Sequence, residues 1–118
     1  MDQSQLPEPM RARRAERDAR TPLQKVQDLL RGFVLDTDGL DQTRAEMVDA
    51  AGYTTRYLRQ QLEALEWALE ADLPPGTLLH LVESDANIGL DDDPTDAGAA
   101  VFLRQVADIL RGVLAEAG

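Results

Sequence analysis

The sequence predicts an all-α protein, a compact bundle of about five helices preceded by a flexible, arginine-rich N-terminal arm. Three observations lead there. Apolar residues recur at steps of three and four along several segments, which places them on one face of an α-helix. No segment alternates apolar and polar residues with period two, so no strand is expected. Aromatic residues make up only 4% of the chain, and a core built mainly from Leu, Ala and Val favours helices over sheets. A length of 118 residues suits one core. Residues 21–118 are therefore expected to form a single helical domain, with residues 1–20 as the arm.

The arm contains Pro7 and Pro9, few apolar residues and five arginines (Arg11, Arg13, Arg14, Arg17 and Arg20), a composition that suits either a frayed helix or a disordered arm and no part of the domain. Thr21-Pro22 marks the first helix start, a hydroxyl cap followed by a residue whose missing N–H costs nothing in the first turn. Leu23, Val26, Leu29, Leu30 and Phe33 follow at helical spacing. Gly32 and Asp36-Thr37-Asp38-Gly39 are expected to end that helix and turn the chain. A second helix is expected from about Gln42 or Thr43 to Ala51, ended by Gly52. Thr54 offers a cap for a third, over residues 55–71, in which Leu58, Leu62, Leu65 and Leu69 form the strongest amphipathic stripe in the chain. Pro74-Pro75-Gly76 breaks it. Leu78, Leu79, Leu81 and Val82 then make a short fourth helix ending near Ser84. Thr95 caps the last helix, over 95–116, with Asp96 in its first turn and Phe102, Val106, Ile109 and Val113 along one face. Short loops predict antiparallel neighbours.

Charge and composition narrow the function. The net charge is −10 although the arm is rich in arginine, so the helical body is strongly acidic and repels a polyanion at long range. A basic partner is the natural expectation. The chain has no cysteine, which removes disulfides, thiolate metal sites and a cysteine nucleophile. No apolar run approaches the length of a membrane span, and residues 1–10 lack the order of a secretory signal. The expected compartment is the cytoplasm.

No catalytic constellation is visible. His80 is the only histidine; it sits between Leu79 and Leu81 with no nucleophile at a useful spacing and is read as structural or solvated. Two aspartate-rich turns invite a calcium reading and neither fits. Gly39 comes too early after Asp36 and Asp38, and the loop from Asp85 through Asn87 and Asp91 has Leu90 where the sharp-turn glycine belongs and Asp96 where a bidentate glutamate belongs. No enzyme activity, cofactor or metal is expected.

Two binding patterns remain. Residues 43–62 resemble a helix-turn-helix with Gly52 at the turn; Met47, Val48, Ala51, Tyr53 and Leu58 would be its buried positions, and Thr54, Thr55, Arg56, Arg59 and Gln60 its DNA-contacting face. Under that alternative the chain is a transcriptional regulator and the arm adds backbone affinity. Glu63, Glu66 and Glu70 on the same helix oppose it.

The second pattern runs from the third helix to the end of the chain and reaches faintly back to Leu29. Its parts are the leucine helix Leu62-Glu63-Ala64-Leu65-Glu66-Trp67-Ala68-Leu69, the loop Asp93-Pro94-Thr95-Asp96-Ala97-Gly98, and the closing Phe102-Leu103-Arg104-Gln105-Val106-Ala107-Asp108-Ile109-Leu110. In order and spacing these resemble the small helical immunity proteins of contact-dependent growth inhibition systems, with Phe102 standing where that family has a tryptophan. Where the family has an aromatic-rich early stretch this chain departs from it, with Gly32-Phe33-Val34-Leu35-Asp36 keeping a single aromatic and the aspartate. The resemblance implies a bacterial protein that neutralises a cognate toxin domain by protein–protein contact. Carboxylates suited to covering a basic toxin surface are Glu83, Asp85, Asp91, Asp92, Asp93 and Asp96, with Asp36, Asp38 and Asp41 at the earlier turn. A plain structural subunit is a third possibility, to be recognised by an exposed apolar patch.

Overall fold

A computed structural model describes residue 15 and residues 18–117. The greater part of the expected arm, residues 1–14 together with 16 and 17, lies outside the described residues. Within them the chain is all-helical, with five helices and no strand.

Helix α1 spans Pro22–Phe33. It starts as the sequence requires: the Gln24 N–H donates to Thr21 Oγ1 at 3.2 Å and the Thr21 N–H to Gln24 Oε1 at 2.9 Å, a reciprocal capping box. Gly32 does not end the helix, because one more helical residue follows it. The reversal is made by Asp36 at φ 63°, a left-handed conformation that aspartate tolerates better than most side chains. Thr37 Oγ1 closes the turn on the Val34 carbonyl at 2.7 Å.

Helix α2 spans Leu40–Ala51 and begins two residues before the earliest expected start. The Gln42 side chain reaches back to accept from the Asp38 N–H at 2.8 Å, so the Asp38-Gly39 turn leads directly into the helix. Helix α3 spans Arg56–Glu70. Thr54 Oγ1 accepts from the Arg56 N–H at 3.2 Å, so that threonine serves the helix start, although Thr55 holds the cap position.

Helix α4, Thr77–His80, runs on into a π-helical turn, Leu81–Asp85. Helix α5, Asp96–Ala117, is the longest at 22 residues. The Thr95 hydroxyl caps it, accepting from the Gly98 N–H at 3.2 Å.

The core centres on α5, against which α2, α3 and α4 all pack, while α1 lies chiefly on α3 and on the π turn. Consecutive helices α2 and α3 make almost no direct packing, so the expectation that neighbours in sequence pack together fails at this junction. The buried stripe of α5 runs through Ala99, Leu103, Val106, Ala107, Leu110, Val113 and Leu114. Of the expected stripe, Val106 and Val113 are buried, whereas Phe102 and Ile109 are only half-buried and pack at its edge. On α3, Leu62 and Leu69 are likewise flanking residues, and Ala64, Leu65 and Ala68 form the contact with Leu58. Alanines at these positions let α3 and α5 approach closely, because each helix must receive a second helix beside the first. Burying each fully enclosed leucine contributes about 1.5–3 kcal/mol.

Candidate partner-binding site

The acidic residues expected to meet a partner divide into two groups. Glu83, Asp91, Asp92 and Asp93 are exposed, as are Asp36, Asp38 and Asp41 at the earlier turn. Asp85 and Asp96 hold the fold instead. Asp85 is 3% exposed. It is clamped by Arg31, whose Nη2 and Nε lie 2.7 and 2.9 Å from Oδ1, with Gln27 Nε2 at 3.5 Å from Oδ2. It ties the π turn to α1 and is not available as a surface contact, which corrects its place among the candidates.

Asp96 has a different structural duty. Its carboxylate accepts from the Gly76 N–H at 2.7 Å and the Leu79 N–H at 3.0 Å, so a side chain of α5 caps the start of α4. The Gly76 bond, then the Leu79 bond, hold its pKa below the ordinary aspartate value. Gly76 stands at φ 88°, which suits a residue without a Cβ. The loop between the two elements is held at a second point by Gly98. A Cβ there would come within 1.9 Å of the Asp93 carbonyl oxygen. Thr95 Oγ1 donates to Asp93 Oδ1 at 2.6 Å. Asp91, Asp92 and Asp93 therefore lead into a loop end held at Asp93, Thr95 and Asp96, and a held segment loses less entropy when it docks.

The segment expected to read DNA is arranged differently from a helix-turn-helix. Val48 and Tyr53, expected to be buried, are 42% and 93% exposed, whereas Met47 and Leu58 are in the core. Without Tyr53 and Val48 inside, and with α2 packed on α5 rather than on α3, nothing holds the two helices in the crossing that presents a recognition helix. Of the proposed contact face, Thr54 is exposed and Thr55 half-buried. Arg56 Nη2 pairs with Asp18 at 2.7 Å, Gln60 donates to the same carboxylate at 3.0 Å, and Arg59 Nε turns back to Thr55 Oγ1 at 3.3 Å. His80 is exposed, with Nδ1 3.3 Å from Ser84 Oγ.

A feature missed by the sequence reading is a cleft of about 810 Å³ between α1 and α3, closed at one end by the turn after α2. Its apolar surface comes from Phe33, Tyr53, Tyr57 and Leu58, and its cations are Arg20, Lys25 and Arg31. Arg20 pairs with Asp28 at the rim, its Nη2 3.1 Å from Oδ1. The signal was present in the spacing: Lys25, Asp28 and Gly32 share one face of α1, and Tyr57 is followed by Gln60 and Gln61 three and four residues on.

Among the described residues no group of His, Asp or Glu is placed to hold a metal ion, and no helix is long and apolar enough to cross a membrane. No protein-family model, curated protein or solved structure matches the chain.

Proposed function

We propose that the chain is an immunity-type protein that neutralises a toxin domain by binding it, with no chemistry of its own. The observation that carries this reading is the exposed run Asp91-Asp92-Asp93, on a loop held by the Asp96 cap and the Gly98 contact. A row of exposed carboxylates can occupy a basic surface built to hold a polyanion, and the net charge of −10 steers the encounter. Glu83 and the turn bearing Asp36, Asp38 and Asp41 add exposed negative charge elsewhere on the body. The order and spacing of the second half, which resemble the immunity proteins of contact-dependent growth inhibition systems, support the same reading.

The DNA-binding alternative requires Tyr53 inside and Arg56 free; Tyr53 is outside and Arg56 is paired. The test is affinity capture from the native organism's lysate, with and without nuclease. A toxin-bearing protein held equally well after nuclease treatment, and lost when Asp91, Asp92 and Asp93 are replaced by lysine, is the expected result. DNA fragments released by Arg56→Glu and Arg59→Glu would overturn it.

A further inference from the structure

The cleft between α1 and α3 has a local character opposite to that of the chain. In a protein of net charge −10, the described residues that line this one depression include Arg20, Lys25 and Arg31 against one carboxylate, Asp28. Two of these cations have partners: Arg20 is held by Asp28 and Arg31 by the buried Asp85. Lys25 has no ion pair among the described residues, so its ammonium keeps its full bonding capacity.

The apolar part of the cleft is equally unusual. Tyr53 is 93% exposed at the mouth, although a tyrosine ring has a large apolar face to bury. Tyrosine and arginine around a concave apolar surface are the residue types enriched where binding energy concentrates in protein interfaces.

From these features we infer that the cleft docks an extended acidic segment of a partner protein, anchored by an aromatic or aliphatic side chain. The anchor lies against Phe33 and Tyr53, and a carboxylate of the segment pairs with Lys25. The inference rests on the reading of the chain as a protein-binding protein, but on a different surface from the acidic loop. One partner can then be held at two places of opposite charge, which excludes wrong partners better than either place alone.

The test uses the whole chain and a synthetic probe. By isothermal titration at low salt, the chain is titrated with an acetylated glutamate-rich peptide carrying a central Trp-Leu pair. A second peptide has lysine for glutamate, and a third has Gly-Ser for Trp-Leu. The first peptide is expected to bind saturably and more weakly as salt is raised. Lys25→Glu and Tyr53→Ala should each weaken it about tenfold, whereas Asp91→Lys should not weaken it. The other two peptides should bind at least about tenfold less well. Tyr53 is so exposed that its truncation leaves the fold intact, so a misfolded Lys25→Glu variant does not spoil the test.

Equal binding of the acidic and basic peptides, unchanged affinity in Tyr53→Ala, or no saturable binding of the acidic peptide would each overturn the inference. The two proposals fail separately. Peptide binding without capture of a toxin leaves the cleft standing and removes the immunity reading; capture of a toxin with a silent titration does the reverse.

Discussion

Gly98 and Gly112 lie on the same helix, and alanine at the two positions should move stability in opposite directions. An ideal Cβ on Gly112 meets nothing within 4 Å, whereas one on Gly98 falls 1.9 Å from the Asp93 carbonyl oxygen and 3.0 Å from its carbonyl carbon. At Gly112 only the helical preference of alanine acts, and Gly112→Ala should stabilise the protein by about 0.5–1 kcal/mol. At Gly98 the same preference is opposed by a collision with backbone, which has no rotamer to escape into. The Asp93 carbonyl must retreat by roughly 1 Å or more, and forced repacking of that kind costs about 1–3 kcal/mol, occasionally more. The net expectation for Gly98→Ala is a loss of about 1–2 kcal/mol, and a gap between the two variants of about 1.5–3 kcal/mol. Urea unfolding followed by circular dichroism reads this directly, with a lower midpoint and an unchanged slope. A Gly98→Ala variant as stable as Gly112→Ala would refute the placement of the acidic loop against α5.

Three further substitutions test other joints of the fold. Arg31→Met should destabilise by about 2–4 kcal/mol because it leaves the buried Asp85 carboxylate with only Gln27. Asp85→Ala should cost less, since the side chain of Arg31 is 59% exposed and can rehydrate; urea midpoints in the reverse order would contradict the burial of Asp85. Leu110→Ala should cost about 2–5 kcal/mol and Ile109→Ala distinctly less in the same assay, because Leu110 is fully buried and Ile109 is an edge residue. Asp96→Asn should weaken the cap on α4. The depressed pKa of Asp96 means that its charged form is favoured by folding, so its contribution is present above the ordinary aspartate pKa and fades as pH falls through the lower folded value. The stability difference between wild type and Asp96→Asn, followed by thermal melts from neutral pH into acid, should be constant at first and then shrink. A difference that grows on acidification would reverse the sign of the argument.

The legible parts of this protein were those written locally. Thr21, Pro22 and Gln24 specify a helix start within four residues, and Thr95 with Gly98 specifies another, so both appeared where expected. Register was harder. In α5 the apolar residues Phe102 and Ile109 look as good as Leu103 and Leu110, and only the positions of α2 and α3 on either side decide which row faces inward. The helix-turn-helix pattern misled for a related reason: Met47, Gly52 and Leu58 fit the spacing, but the motif also needs α2 against α3, and the pull of α5 on α2 prevents it.

Charge was the least legible property. Asp85 and Asp96 look like members of one acidic run with Asp91, Asp92 and Asp93, yet their partners are Arg31 on α1 and the backbone of residues 76 and 79, at 17 to 54 residues' separation. No local pattern distinguishes a carboxylate that anchors a fold from one that meets a partner. The cleft was hidden likewise, because its cations and tyrosines come from two helices and a turn, each unremarkable alone.

Protection by binding, the proposed function, is read out by growth. The toxin domain recovered by capture is expressed under an inducible promoter, together with wild type or a variant carrying Asp91→Lys, Asp92→Lys and Asp93→Lys. The account predicts that wild type restores growth and that the triple variant, folded by circular dichroism, does not. Equal growth with both would contradict the role given to the acidic loop, and no rescue by wild type would contradict the immunity reading itself.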